Sequence, residues 1–146
     1  MEIYNLAFYA VSFLAVPLWL LMILLPHWKV TQRIMGSVYT VVPFAIPYAL
    51  LVLPHWRDVF LFLIPTPLKI ETLLTQTQSD VLAWIHFIPL DLFAGRWMYL
   101  DSRRQGFNAW VMAPILALCL LLPPLGMVLY FIYRLIAGKP GLTQDA

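Results

Sequence analysis

Polar positions are sparse along this chain, and where they fall divides it into apolar stretches. Uncharged runs occupy Ile3 to Trp28, Ile34 to Trp56 and Gln105 to Tyr133, each longer than the roughly 20 apolar residues that cross a bilayer as a helix. A further run, Val81 to Leu100, is long enough only if Asp91 and Arg96 are tolerated inside it. The pattern predicts an all-α membrane protein, a bundle of four transmembrane helices at Ile3 to Leu25, Ile34 to Leu53, Val81 to Leu100 and Trp110 to Ile136, forming one membrane domain over 1–146. The connection 54–80 lies outside the hydrocarbon. Its segment "VFLFLIPTPL" is too short to span and is broken by Pro65 and Pro67, which predicts an interfacial or re-entrant piece. "TLLTQTQSD" then offers Ser79 or Asp80 as an N-cap for the third span.

Composition agrees with that reading. The 146 residues are 62% hydrophobic and 11% charged, against roughly 25% charged in soluble domains, and the mean hydropathy is +0.83. A net charge of +2 with no basic run interleaved with aromatics excludes nucleic acid as a partner. Glu2 stands where a signal peptide carries positive charge, so the first run reads as a retained helix. The single cysteine, Cys119, excludes an intrachain disulfide and a C-x-x-C motif and reads as a small core residue.

"LLPHWKV" and "LVLPHWRDV" end the first two spans with the same Pro-His-Trp and a basic residue. Tryptophan and snorkelling Lys or Arg are enriched at membrane interfaces, which makes these boundary anchors. The alternative, His27 and His55 as axial ligands of a haem or chlorophyll, has nothing nearby to support it, and successive spans put the two on opposite faces. The basic residues divide evenly between the two sides: Lys29, Arg33, Arg103 and Arg104 against Arg57, Lys69, Arg134 and Lys139. The arginines in short loops favour a cytoplasmic side for the loops after the first and third spans.

"WIHFIPLDLFAGRWMYLD", residues 84–101, places a histidine, two acids and an arginine within the third span. At about 100° per residue, with His86 at zero, Arg96 falls near ~280° and Asp91 near ~140°. Asp91 and Arg96 therefore cannot form a simple ion pair on an ideal helix. Either protein covers both faces of this helix or Pro89 breaks it; Pro89 in any case predicts a bend. Gly95 lets a neighbouring backbone approach. A charge at such depth costs roughly 2.5–3.5 kcal/mol on insertion scales, so Asp91 and Arg96 default to functional candidates. The structural alternative is a polar network to Thr40, Tyr39 or Tyr48. Asp101, Arg103 and Arg104 sit at the helix end, where a solvated boundary is the simpler reading.

The same run resembles the motif W-I-H-x-x-x-x-D-L-F-A-x-R-x-x-x-x-D of the neoxanthin-synthesis family of small four-helix plastid and bacterial membrane proteins, the abscisic-acid-deficient-four type. "PHWKVTQ" is similar to its P-x-W-x-x-T, "VVPFAIPYALLV" to its second helix and "LLPPLGMVLYFIYR" to its closing P-x-G helix. The resemblance implies a carotenoid role, the conversion of violaxanthin to neoxanthin in plastid membranes. By position the motif picks out Trp84, His86, Asp91, Arg96 and Asp101. A chain that starts almost directly at its first helix looks like a bacterial or cyanobacterial relative in an inner or thylakoid-type membrane.

Opening an epoxide to an allenic alcohol is redox-neutral and needs an acid at the epoxide oxygen and a base at a vinylic C–H; it calls for no cofactor and no metal. A buried protonated carboxyl is a suitable acid and a neutral imidazole a suitable base. The candidate catalytic residues are thus Asp91, His86 and Arg96, the last at a developing alkoxide; the candidate substrate-binding residues are Trp84, Phe93, Trp97 and Asp101. Partners are a lipophilic carotenoid and membrane lipids, with a pigment–protein complex or homo-oligomer as the assembly. Two other classes compete: a carotenoid-binding or assembly subunit without chemistry, and a small proton or ion transporter. The transporter ranks last, because no inverted repeat carries paired broken helices.

Overall fold

The computed structural model of the protein describes residues 2–56, 64, 66–75 and 78–138. Among the described residues every regular element is helical: α1 (Glu2–Leu24), α2 (Lys29–Gly36), α3 (Val42–Val52), α4 (Pro67–Leu74), α5 (Ser79–Gln105), α6 (Ala109–Leu121) and α7 (Pro123–Ala137), with 3-10 turns at Val38–Thr40 and Leu53–His55. Tertiary contacts group Met1–Ala15 with Val41–Pro89 as one unit and Val16–Thr40 with Leu90–Ala146 as another.

Among the described residues α1 is the one helix long and apolar enough to cross a membrane. Its 23 residues rise about 35 Å, against a hydrocarbon thickness of about 30 Å. Pro26 stops it, because the residue before a proline is driven out of the helical region. The Tyr99 hydroxyl donates to the Pro26 carbonyl at 2.7 Å, giving a backbone acceptor in the turn after α1 its partner.

The second span is not the single helix 34–53 that hydropathy predicts. α2 buries Thr31 and Met35, one turn apart, and ends at Gly36; the Ser37 N–H and the Thr40 hydroxyl both turn back to the Ile34 carbonyl. α3 starts afresh with Pro43 in its first turn, where a missing N–H costs nothing. Its 11 residues cover about 16 Å, too few to cross a bilayer. Of the 54–80 connection, residues 57–63 and 65, which carry most of the proposed interfacial segment, lie outside the described residues. α4 follows, with Thr66 accepting from the Lys69 N–H at 3.4 Å and Pro67 at its first position.

α5 holds 27 residues and continues through Pro89 as one helix, so Pro89 does not break it. Its first turn bonds the Leu82 N–H to the Gln78 carbonyl, which puts the cap position at Gln78, with φ 75°, rather than at Ser79 or Asp80. Its end is a Schellman motif: Phe107 N–H bonds to the Ser102 carbonyl and Gly106 N–H to that of Arg103. Gly106, with φ 71°, supplies the left-handed residue that motif requires.

The largest departure from the hydropathy pattern is at 110–136. A straight helix there would hold Phe107 and Tyr133 about 39 Å apart, whereas their ring centroids lie 4.7 Å apart. The chain reverses at Leu122 (φ −140°, ψ 77°), and α6 and α7 form an antiparallel hairpin. Pro123 and Pro124 cause the reversal, since neither has an N–H to continue α6. Gly126 closes it: a Cβ there would fall on the backbone of Cys119. Asn108 starts the hairpin by accepting from the Trp110 N–H at 2.9 Å.

The buried residues of this unit include Trp19, Met22, Met35, Leu92, Met98, Tyr99, Leu116, Cys119 and Tyr130. Cys119 is free and buried, the small core residue its position predicts. Gly95 meets Trp19, whose indole occupies the space that a Cβ at 95 would take.

Candidate functional site

The motif-bearing helix α5 contributes to both units. In the first, Trp84 donates from Nε1 to the Ser12 hydroxyl at 3.0 Å, and its ring lies 5.8 Å from that of Phe8. His86 is half-buried, with the Tyr48 ring 4.7 Å and the Phe87 ring 5.8 Å from its imidazole. Tyr48 thus borders His86.

In the second unit Arg96 is the notable group. Its residue is 9% exposed; one terminal nitrogen donates to the Gly36 carbonyl at 3.3 Å, and Nε makes no hydrogen bond among the described residues. Of the partners considered from sequence, Thr40 is turned to the Ile34 carbonyl and Tyr39 is exposed. The backbone at the end of α2 serves Arg96 in their place. Thr31, on that same helix, is fully buried with its hydroxyl unpartnered. A buried donor left without an acceptor costs about 1–3 kcal/mol, so this unit retains two polar groups whose burial its own hydrogen bonds do not offset. Asp91 is half-buried. The ion pair found among the described residues joins Arg134 to Asp101, not Asp91 to Arg96, in keeping with the helical-wheel argument.

Asp101 is not at a solvated boundary. It is 5% exposed and accepts from the Arg134 Nε at 2.6 Å and from the Tyr130 hydroxyl. The carboxylate thus ties α5 to α7. Trp97 supports the same contact, with its ring 5.6 Å from Tyr130 and 5.5 Å from Phe131. Phe93 is exposed, as are Trp84 and Phe87. The His27 backbone carbonyl accepts from the Gln32 side-chain amide at 3.3 Å. Among the described residues no group of three His, Cys, Asp or Glu is placed to hold a metal ion.

Sequence reasoning missed Thr31, Tyr130 and Arg134. All three lay in stretches that carry the family resemblance, Thr31 in "PHWKVTQ" and Tyr130 and Arg134 in "LLPPLGMVLYFIYR", but nothing local tied the last two to Asp101, 29 and 33 residues away.

Comparison with known proteins bears on the same positions. The chain is 28% identical over 130 residues to Protein ABA DEFICIENT 4, chloroplastic, of Arabidopsis thaliana, an alignment covering 84% of this chain and 58% of that protein. The chain thus spans little more than half the length of this curated relative. No solved structure matches it. The model of a family described as ABA DEFICIENT 4-like matches residues 6–130, from α1 to the Tyr130 that holds Asp101. With α5 and its motif wholly inside that match, the chain belongs to the ABA DEFICIENT 4-like family.

Proposed function

We propose that this chain is a multi-pass membrane protein that binds a carotenoid and isomerises an epoxide-bearing end ring, the violaxanthin-to-neoxanthin type of conversion. The observation that carries the reading is Arg96, a cation 9% exposed with Nε unpartnered on the helix that bears the family motif. A guanidinium is expensive in an apolar setting, and one held with spare donor capacity suits an oxygen atom of a ligand. The exterior supports a lipid setting: Leu6, Phe13, Leu24, Leu135 and Ile136 are all largely exposed. A relative whose name places it in the chloroplast fits a thylakoid-type membrane. Carotenoid and lipids are the partners, in a homo-oligomer or a pigment–protein complex.

In the isomerisation the epoxide C–O bond breaks, its oxygen takes a proton to become a hydroxyl, and a vinylic C–H loses a proton as the allene forms. Atoms and electrons balance within one molecule. Asp91 is assigned as the acid, Arg96 as the group that stabilises the developing alkoxide, and His86 as the base. Trp84, Phe93 and Trp97 contact the polyene. One observation favours a second reading, a carotenoid-binding subunit without chemistry: α5 continues through Pro89 as a helix, whereas an acid–base pair of Asp91 and His86 calls for a break there.

Expression in a host that makes epoxycarotenoids separates the readings. A new allenic pigment supports the isomerase. An unchanged pigment that copurifies supports the binding subunit. A colourless protein that leaves the host's pigments unaltered would remove both.

A further inference from the structure

The α6–α7 hairpin differs along its length in a way that identifies its surroundings. Its open end mixes polar groups with exposed apolar ones: Asn108 caps α6 and Arg134 pairs with Asp101, while Trp110, Leu135 and Ile136 are largely exposed. Its closed end, "LCLLLPPLG" over 118–126, has no charged residue, and the tip is open, with Leu121 74% and Leu122 54% exposed. A turn that faces water combines Gly and Pro with Asn, Asp or Ser. This one has the prolines and the glycine but leucines where the polar residues would stand.

The backbone of the turn also suits an apolar medium. Leu122 N–H bonds to the Leu118 carbonyl at 2.7 Å, and Leu125 and Gly126 N–H bond to the Leu122 carbonyl, each at 3.0 Å. Pro123 and Pro124 have no N–H at all. From 122 to 126 no backbone donor is left open, the condition that non-aqueous solvent imposes on a chain reversal. The helices are the wrong length to span: 13 and 15 residues reach about 20 and 22 Å, past the midplane of a roughly 30 Å hydrocarbon layer but not across it.

We propose that Ala109–Ala137 is a re-entrant hairpin that enters a lipid bilayer from the face where α5 ends and returns to that same face, its leucine tip in contact with acyl chains. The proposal rests on the membrane setting of the proposed function. It changes the charge balance. A spanning helix over 110–136 would put Arg134 opposite Arg103 and Arg104; the hairpin puts it beside Asp101, one turn of α5 from them. In this unit Arg103, Arg104 and Arg134 then lie at the end of α5, where Pro26 meets Tyr99, and Lys29 and Arg33 follow on α2. That concentration marks this face as cytoplasmic or its plastid equivalent.

The test is labelling of the full chain in sealed vesicles. In a Cys119→Ala background, Arg104→Cys, Trp110→Cys and Ala137→Cys are each treated with a membrane-impermeant maleimide added to one face at a time. All three are expected to react from the same face. A spin label at Leu121→Cys is expected to collide readily with dissolved oxygen and rarely with a water-soluble nickel chelate. Trp110 and Ala137 labelling from opposite faces would overturn the hairpin while leaving the protein integral. A tip shielded from both oxygen and nickel would show protein, such as a second copy, in place of lipid. Recovery in the soluble fraction after an alkaline wash would instead remove the membrane setting of the proposed function.

Discussion

Removing the Asp101 carboxylate tests how α5 and α7 are held together. In Asp101→Ala the Tyr130 hydroxyl, on a fully buried residue, loses its acceptor, and Arg134 Nε loses its ion pair. A stranded buried hydroxyl costs about 1–3 kcal/mol. The Arg134 side chain is 28% exposed and rehydrates, so its part is about 0–1 kcal/mol. The total is about 1–4 kcal/mol, or roughly 2–16 °C in the unfolding midpoint of a domain this size. Tyr130→Phe alone gives up a bond to a charged acceptor, about 1.5–3 kcal/mol. Because the phenylalanine has no hydroxyl to strand, Tyr130→Phe made in the Asp101→Ala background is expected to be neutral or stabilising. The double-mutant cycle, read from thermal unfolding in detergent by circular dichroism, therefore shows coupling of about 1.5–3 kcal/mol or more. Equal cost of Tyr130→Phe in both backgrounds would refute the reasoning.

Gly126→Val forces a branched side chain onto the backbone of Cys119; it is expected to cost about 1–3 kcal/mol and to increase modification of Cys119 by a small permeant thiol reagent, which mass spectrometry reads. Gly95→Ala places its methyl in the Trp19 indole and is expected to lower the unfolding midpoint by a similar energy, whereas Gly36→Ala, with open space at its Cβ position, shifts it by less. Asp91→Asn and His86→Ala are expected to reduce pigment conversion at least tenfold with normal yield of folded protein, while His27→Ala and His55→Ala, at helix boundaries, leave it near wild type; equal loss in all four would point to pigment ligation or a structural role.

The parts of this fold legible in the sequence were those that a hydropathy window measures: α1, and the burial of a charge at Arg96 on α5. Apolar composition over twenty residues is the same whether a chain runs straight or doubles back, so 110–136 read as one span. Pro123 and Pro124 were the available sign of reversal, and their effect differs from that of Pro89 for a physical reason. One proline removes one donor, which α5 absorbs; two in succession remove adjacent donors, and Gly126 then allows the return strand of helix to press against Cys119. The second span misled in the same way, with Pro43 starting a new helix. The cost of burying charge drew attention to Arg96, which is buried, yet the same rule applied to Asp101 suggested solvent, because its partners on α7 come near it only through the hairpin.

The central claim is tested most directly by supplying violaxanthin to the purified chain in proteoliposomes and following the pigment by chromatography and mass spectrometry. The account predicts a product of unchanged mass with an allenic infrared band, formed by the wild type and lost in Arg96→Met protein that still folds. Violaxanthin recovered unchanged, with no pigment bound to either protein, would contradict it.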